Sequence, residues 1–379
     1  MTLIYLIAGE QSGDVLGGRM MAALKAARPD LEFAGIGGPL MQAQGLTSRF
    51  PLSELAVMGL LEVLPRIFRL KSLLAGTIAD IQARRPAVLV TIDSPGFTLR
   101  VLKALRGSDI PRVHYVAPQV WAWREHRVRE FPGLWDRLLC LLPFEPAYFA
   151  KHGLEGSFVG HPVLESGADT GNAARFRAHH DLGPDARVLV LMPGSRRSEV
   201  GRLLPVFART LELLGERLPG IVPVVPVASA VAETVQAATA AWRVRPIVVT
   251  SIADKHDAFA AADAALTKSG TSTLELAMAG VPMAVTYRVN PLTAMIARRL
   301  IKVPYAAMVN LLAGRELVPE LLQQDSNPAR LAEAIATLLT DDAARQAQRA
   351  GFAEVLGVLT PTQGRPSEAA AAEVLALLT

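Results

Sequence analysis

The chain has few of the residues that build covalent or metal-bound frameworks. It contains a single cysteine, Cys140, among 379 residues, which excludes disulfides within the chain and metal sites built on cysteines. A buried strand position is favoured for Cys140 over a catalytic thiol, because free cysteines are usually core residues. No histidines or carboxylates show metal-ligand spacing, and His179 and His180 are interpreted as solvated surface. The sequence therefore predicts neither a metal nor a cofactor.

Long apolar runs and known nucleotide-triphosphate motifs are absent as well. Runs such as 138–144 and 221–232 fall short of the roughly 18 apolar residues that a membrane-spanning helix needs. The start, MTLIYLIAGE, lacks a basic region and reaches Glu10 at once, which argues against a signal peptide. No Walker A motif supports kinase or NTPase chemistry. A cytoplasmic protein is expected.

The composition and the net charge of the chain indicate a folded protein with an anionic partner. Hydrophobic residues make up 51% and charged residues 20% of the chain, and its length suits two domains. The formal net charge is +4, which fits nucleic acid, anionic lipid or a phosphorylated small molecule. Charge alone does not choose among these partners.

Apolar strand segments alternate with helical segments in both halves of the chain. Strands are predicted at 3–8, 32–36, 88–92, 113–116 and 138–142, and again at 188–191, 221–227, 247–249, 264–266 and 283–286. This alternation predicts an α/β protein with two Rossmann-like domains, whose parallel sheets face each other across a cleft. We expect an N-terminal domain at 1–165 and a C-terminal domain at 166–345. A helical tail at 346–379 is expected to pack back on the first domain.

Two strand-to-helix loops in the second half are suited to a diphosphate. In VLVLMPGSRRSEV (188–200), Gly194 and Ser195 form a turn before a helix, and Arg196 can add a bidentate cation. In LTKSGTSTLE (266–275), backbone and hydroxyl donors are offered by Ser269, Gly270 and Thr271, and Glu275 is placed to accept from ribose hydroxyls. An ordinary capped helix is the alternative for the second loop. Together the loops predict a nucleotide-diphosphate site in the C-terminal domain.

In the first half of the chain, the loops that follow the strands carry carboxylates, whereas the corresponding loops of the second half are suited to a diphosphate. Glu10, Ser12 and Asp14 follow the first strand and suit sugar hydroxyls, although capping of the helix is the alternative for Ser12 and Asp14. Asp93 ends a buried strand, where a general base is expected, and its alternative is a turn-forming role.

Two further segments leave alternatives open. Residues 114–129, HYVAPQVWAWREHRVR, place Trp121 among basic residues. A sugar- or acyl-facing loop, or a core wedge, is favoured over base stacking because only this one short segment shows the pattern. Residues 55–74 combine apolar and basic side chains, which suits contact with an anionic membrane or an acylated substrate, or else a core helix with snorkelling arginines.

The motifs together resemble the lipid-A-disaccharide synthase family of inverting glycosyltransferases, which have the GT-B fold. The resemblance rests on an ordered set of motifs over nearly the whole chain: AGEQSGD (8–14), LAVMGLLEVL (55–64), IDSPGF (92–97), HYVAPQVWAW (114–123), LPFEPAYF (142–149), FVGHP (158–162), PGSRRSEV (193–200), SGTSTLE (269–275) and NLLAGRELVPELLQ (310–323).

The resemblance implies a reaction and residue roles. UDP-2,3-diacylglucosamine would be joined to 2,3-diacylglucosamine 1-phosphate to give a β-1,6 disaccharide 1-phosphate and UDP, in lipid A biosynthesis. Asp93 would be the base and Arg196 would face the departing UDP, while Glu10, Ser12 and Asn310 carry over from their motifs. The family also implies contact with the cytoplasmic face of the inner membrane and a homodimer, and no nucleic-acid partner is expected.

Four positions depart from the family pattern: Gly96, Thr98, Ala117 and Gln119. Gly96 removes a second acid that many members carry, which puts more weight on Asp93. Two rival functions stay open. A UDP-N-acetylglucosamine 2-epimerase would need no acceptor, and a relative without catalytic activity would bind a nucleotide sugar or a lipid.

Overall fold

The computed structural model describes residues 2–55, 67–123, 125–290, 294–295, 300 and 303–378. The chain divides into two units, Met1–Pro162 with Leu359–Thr379, and Val163–Val358. The chain thus passes from one unit to the other after Pro162, where the sequence-based boundary was placed at 165, and returns after Val358. Part of the predicted membrane-facing segment, residues 56–66, lies outside the described residues.

The first unit is built around a parallel sheet of seven strands in the order β3-β2-β1-β4-β5-β6-β7. Its strands are β1 (Thr2–Ala8), β2 (Leu31–Ile36), β3 (Thr47–Ser48), β4 (Val88–Ile92), β5 (Arg112–Tyr115), β6 (Arg137–Cys140) and β7 (Gly156–Phe158). Its helices, as far as they are described, are α1 (Gln11–Ala27), α2 (Pro39–Ala43), α3 (Ile67–Arg84), α4 (Pro95–Ala104), α5 (Val120–Trp123) and α6 (Glu145–Ala150). Short 3₁₀ helices lie at Leu52–Glu54, Glu125–Glu130 and Pro162–Glu165.

The second unit has a parallel sheet of six strands in the order β10-β9-β8-β11-β12-β13. Its strands are β8 (Arg187–Met192), β9 (Ile221–Pro226), β10 (Ile247–Val249), β11 (Ala264–Lys268), β12 (Met283–Tyr287) and β13 (Glu320–Leu322). The described helices are α7 (Ala173–His179), α8 (Arg197–Arg217), α9 (Ala232–Thr239), α10 (Ile252–Ala261), α11 (Ser272–Met278), α12 (Met308–Ala313), α13 (Pro328–Thr340) and α14 (Asp342–Leu359), with a 3₁₀ turn at Ser229–Val231.

The central strands form because their apolar residues are covered on both faces of each sheet. Every residue of β4, VLVTI, is buried, as expected for a central strand of a parallel sheet with helices on both sides. Cys140 is buried at the end of β6, so the predicted core position is confirmed. The predicted pair of parallel α/β sheets is likewise confirmed.

The C-terminal segment divides between the two units. Helix α14 lies in the second unit up to Val358. The last helix, α15 (Pro366–Leu375), packs against α1, and its buried Ala370, Ala371 and Val374 join the core that contains β1 and β4. The chain therefore returns to its first unit to complete that core.

Candidate functional site

The carboxyl ends of β8 and β11 lie side by side where the strand order of the second sheet reverses. Leu191 pairs with Leu266, and Met192 pairs with Thr267. Open α/β sheets bind ligands at such a switch point. The two loops that the sequence predicted as anion sites follow these strands, so the fold brings them together.

The first of these loops requires a glycine. Gly194 has a φ of +110°, and a Cβ at this position would lie 2.4 Å from Oε2 of Glu199. The Glu199 carboxylate is buried in the first turn of α8, and its Oε2 accepts a long hydrogen bond from the Arg196 N–H at 3.4 Å. A larger residue at 194 would displace this carboxylate, so the turn and the helix start depend on each other.

A cavity of about 530 Å³ opens between these loops and the end of β9. This volume lies within the range of small-molecule sites. Four of the predicted donor-binding residues line the cavity: Gly194, Ser195, Thr271 and Glu275. Two segments that are distant along the chain therefore line one cavity, and its use as a donor site stays a prediction.

Two lysines of this cavity were missed by the sequence reasoning. The Nζ of Lys268 lies 3.3 Å from Oε1 of Glu199, whose side chain is 6% exposed. The Nζ of Lys255 donates to both oxygens of Glu275, at 2.9 and 3.1 Å. Lys268 directly precedes the loop 269–271, and this position next to a predicted anion loop could have indicated that it belongs to the site. Lys255 comes from α10, and no local pattern links it to the site.

Three other predicted residues lie near the loops but do not line this cavity. Arg196 precedes α8 with its side chain 61% exposed and its Nη1 3.6 Å from Oε1 of Glu199. The Ser269 hydroxyl donates to the carbonyl of Ala306 at 2.6 Å, and Gly270 follows it in the loop. Ser269 is thus engaged with the segment before α12 rather than pointing its donor into the cavity.

Asn310 is placed differently from its predicted donor-binding role. It is fully buried, and its Nδ2 donates to the Val318 carbonyl and to Oε1 of Glu320, both at 2.8 Å. Its Oδ1 accepts from the N–H groups of Leu317 and Val318. The amide is fully used in holding the 317–320 segment, so the structure does not bring Asn310 into the cavity.

In the first unit the corresponding switch point lies between β1 and β4, where Ala8 pairs with Ile92. Gly9 follows β1, and a Cβ there would lie 2.1 Å from Oγ of Ser94. The loop that carries Glu10 therefore packs against the turn that carries Asp93. Glycine is needed at position 9 because of this close approach.

Asp93 is held in a strained turn. Asp93 and Ser94 have φ values of +47° and +48°, a left-handed conformation that is uncommon outside glycine. The Asp93 N–H donates to the Tyr115 carbonyl at 2.9 Å, and the Thr98 hydroxyl donates to the Asp93 carbonyl at 2.6 Å. Thr98, one of the departures from the family pattern, thus braces this turn. Burial raises the pKa of the Asp93 carboxyl above its ordinary value.

A second cavity, of about 330 Å³, contains Asp93. Eight of its eleven lining residues are of apolar type, and the polar ones beside Asp93 are Gln119 and Arg127. The lining residues are Asp93, Pro95, Leu99, Val116, Ala117, Pro118, Gln119, Val120, Trp123, Arg127 and Phe131. An acidic group beside an apolar wall is suited to a substrate that is part sugar and part hydrocarbon.

The three predicted sugar contacts of the first loop have different surroundings. Asp14 is buried, and its carboxylate accepts from the N–H groups of Gly38, Leu40 and Met41 at 2.8, 3.1 and 3.0 Å. Asp14 therefore caps the start of α2. Because its carboxylate oxygens already accept from these N–H groups, they are not available to the acceptor sugar. Glu10 lies at the start of α1 and Ser12 is exposed in its first turn.

Trp121 is likewise engaged inside the first unit. Its Nε1 donates to Oε1 of Glu145 at 3.1 Å, and its ring meets Phe144 edge-on. Glu145 is buried and also accepts from the N–H groups of Leu141 and Leu142. Burial raises the pKa of Glu145 to about 7. Its neighbour Trp123, rather than Trp121, lines the Asp93 cavity.

The described residues contain no group of three or more His, Cys, Asp and Glu that could hold a metal ion. Within the same ranges, no helix has the length and apolar character needed to cross a membrane.

The fold places the chain in the GT-B class, to which both glycosyltransferases and sugar-nucleotide epimerases belong. The UDP-GlcNAc 2-epimerase of Neisseria meningitidis, solved with UDP-GlcNAc, matches with a TM-score of 0.64 and 11% identity, covering 99% of this chain and 98% of that one. The calicheamicin glycosyltransferase matches with a TM-score of 0.59 and 18% identity, covering 100% and 98%. At these identities the likeness concerns the fold alone.

The sequence comparisons identify the family. The family model for lipid-A-disaccharide synthetase matches residues 4–374, and the chain belongs to this family. The lipid-A-disaccharide synthase of Gluconobacter oxydans is 62% identical over 376 residues, covering 99% of this chain and 91% of the relative. The family and the GT-B fold expected from the ordered motifs are both confirmed.

Proposed function

We propose that this chain is a glycosyltransferase that makes the lipid A disaccharide. It transfers 2,3-diacylglucosamine from UDP to the 6-hydroxyl of 2,3-diacylglucosamine 1-phosphate, and it releases UDP and the β-1,6 disaccharide 1-phosphate. The observation that carries this proposal is the 62% identity, over nearly the full length, to a relative named for this reaction. The two cavities support it, since one is suited to a nucleotide diphosphate and the other to an acylated sugar.

Asp93 is the general base in this proposal. As the acceptor 6-oxygen forms its bond to the donor anomeric carbon, the carboxylate takes the hydroxyl proton, and the bond from that carbon to the diphosphate oxygen breaks. Attack from the face opposite the leaving group inverts the configuration at the anomeric carbon. The raised pKa of Asp93 makes its carboxylate a stronger base than that of an exposed aspartate.

The diphosphate leaves with the electron pair of the broken bond, and cations stabilise it. Lys268 lines the donor cavity, and Arg196 directly precedes α8, next to Gly194 and Ser195 of that cavity. Fixed positive groups around a developing anion lower the barrier because they need no rearrangement during the reaction. Glu275 accepts from ribose hydroxyls in this proposal, with Lys255 holding its carboxylate in place.

The rival epimerase function has the higher structural likeness but the weaker support. The epimerase TM-score of 0.64 exceeds the glycosyltransferase value of 0.59, yet the epimerase is only 11% identical. Identities of 44–62% to curated synthases are far more specific than a shared fold. A relative without catalytic activity is disfavoured because Asp93, Arg196 and Glu275 are all present.

The proposal includes a position on the cytoplasmic face of the inner membrane and a homodimer. Phe68 in the first turn of α3 is 82% exposed, and the basic residues Arg69 and Lys71 follow it on the same exposed stretch. An apolar side chain flanked by cations suits an anionic lipid surface. Both substrates carry acyl chains, so their transfer at such a surface avoids exposing those chains to water.

We expect the purified chain to form the disaccharide 1-phosphate and UDP from the two diacylglucosamine substrates without added metal, since side-chain cations stabilise the diphosphate. Mass spectrometry of the lipid product, with EDTA present in a parallel reaction, measures this directly. Absence of the disaccharide with donors and acceptors of several acyl lengths would refute the proposed function. Conversion of UDP-N-acetylglucosamine without an acceptor would favour the epimerase.

Lys268→Ala is expected to weaken UDP binding by about tenfold, because a charge-assisted contact to the diphosphate is lost. Uridine lacks the diphosphate, so its affinity should remain that of the wild type. Isothermal titration with both ligands makes the comparison, and Lys151→Ala removes an exposed lysine of the first unit as a control. An equal loss for uridine and UDP would assign Lys268 a structural role.

A further inference from the structure

We propose that Arg127 binds a phosphate monoester on the acceptor sugar, so that one cavity holds the two polar ends of the acceptor. This inference rests on the proposed function, and it assigns a residue that the sequence reasoning did not single out. It also supplies a cationic contact to the acceptor.

Arg127 lies in the 3₁₀ helix Glu125–Glu130, which is anchored by the buried Val128. Arg127 lines the same cavity as Asp93, together with Trp123 and Phe131. The fold therefore places a permanent cation and the proposed base around one space of about 330 Å³.

The surroundings leave the Arg127 guanidinium available for a ligand. Arg127 is half-buried, and it makes no ion pair within 4.0 Å of any carboxylate in the described part of the chain. Glu130, three residues on, is paired with Lys103 at 2.7 Å, and Arg127 acts on it at longer range, where its charge helps to lower the pKa of Glu130. A half-buried guanidinium that forms no ion pair favours an anion as its ligand.

The chemistry of the acceptor matches this arrangement. The planar guanidinium can donate two parallel hydrogen bonds to a phosphate, which a hydroxyl or an acyl chain does not match. In a glucosamine 1-phosphate, the phosphate-bearing carbon and the carbon that carries the 6-hydroxymethyl group both bond to the ring oxygen. The phosphate and the 6-hydroxyl therefore extend from the same edge of the sugar ring, so a phosphate bound to Arg127 leaves the 6-hydroxyl for Asp93. The acyl chains can contact the apolar lining residues.

The test compares Arg127→Ala with Arg129→Ala, a matched control that removes an exposed arginine from the same 3₁₀ helix. Binding of 2,3-diacylglucosamine 1-phosphate and of its dephosphorylated form is measured in detergent micelles. We expect Arg127→Ala to weaken binding of the phosphorylated acceptor by about 10- to 100-fold. Binding of the dephosphorylated acceptor and of UDP should remain that of the wild type, and Arg127→Lys should recover part of the loss.

Kinetics provide a second readout. In Arg127→Ala the KM for the phosphorylated acceptor should rise much more than kcat falls, whereas Arg129→Ala should leave both unchanged. Equal losses for the two acceptor forms would overturn the proposal, and so would equal behaviour of the two variants. A loss of UDP affinity would instead assign Arg127 to the donor diphosphate. If the wild type makes no disaccharide, the proposed function fails, while the binding comparison still decides the role of Arg127.

Discussion

Asp93→Asn is expected to lower turnover by about 1,000-fold, while the affinity for UDP stays within about twofold of the wild type, because only the proton acceptor is removed. The donor cavity is lined by residues of the second unit, and Asp93 belongs to the first. Single-turnover measurement of disaccharide formation, with UDP titration on the same preparation, checks both parts of the prediction.

The substitution should leave the turn intact. The contacts that hold position 93 use its backbone, through the Tyr115 carbonyl and the Thr98 hydroxyl. Asparagine also tolerates the left-handed conformation found there. Asp109→Asn, at an exposed position of the same unit, is the matched control and should keep full activity. If Asp93→Asn retained more than about a tenth of wild-type turnover, the assignment as general base would be wrong.

The pH dependence adds a second signature of Asp93. Its pKa is raised from the ordinary 3.8 because burial disfavours the charged carboxylate. A base acts only when it is ionised, so kcat/KM should rise with pH through this raised pKa and level off above it. The acid limb should therefore have its midpoint above 3.8, and Asp93→Asn should lack it. An unchanged acid limb in the variant would assign that limb to another group.

Arg196→Ala is expected to lower kcat by about 100- to 1,000-fold, because a cation that faces the leaving diphosphate acts mainly in the transition state. UDP binding should weaken as well, but by a smaller factor. The Arg196 side chain is 61% exposed, and its contact with Glu199 is long at 3.6 Å. The contact is long and its guanidinium end is exposed, although Glu199 itself is buried, so the guanidinium can turn to the diphosphate at modest cost.

The control for Arg196 is its neighbour. Arg197→Ala removes the same charge at the next exposed position, where α8 begins, and should change kcat little. Arg196→Lys keeps a charge but loses the bidentate fork, so it should recover only part of the activity. Equal kcat losses in Arg196→Ala and Arg197→Ala would point to net charge rather than a specific contact, and would refute the role proposed for Arg196.

Part of the candidate site could be read from local sequence, and part could not. Gly194 and Asp93 were found because a strand that ends in a turn places the next residues at the ligand-binding edge of a parallel sheet. Asp14 and Asn310 lie in similarly suggestive motifs, but their side chains are taken up by backbone N–H groups. A motif does not reveal whether a polar side chain is already satisfied, since its partners come from segments 7 to 27 residues away.

The sequence by itself determined the family, the two parallel α/β sheets and the strand-end loops, because these depend on residue patterns within short segments. Only the tertiary structure decided which side chains share a cavity. It joined Lys255 and Lys268 to the donor loops and Arg127 to Asp93, and it divided the C-terminal helices between the two units. The physical reason is that strand order and helix packing bring distant segments together, and neither is encoded in the spacing of any one motif.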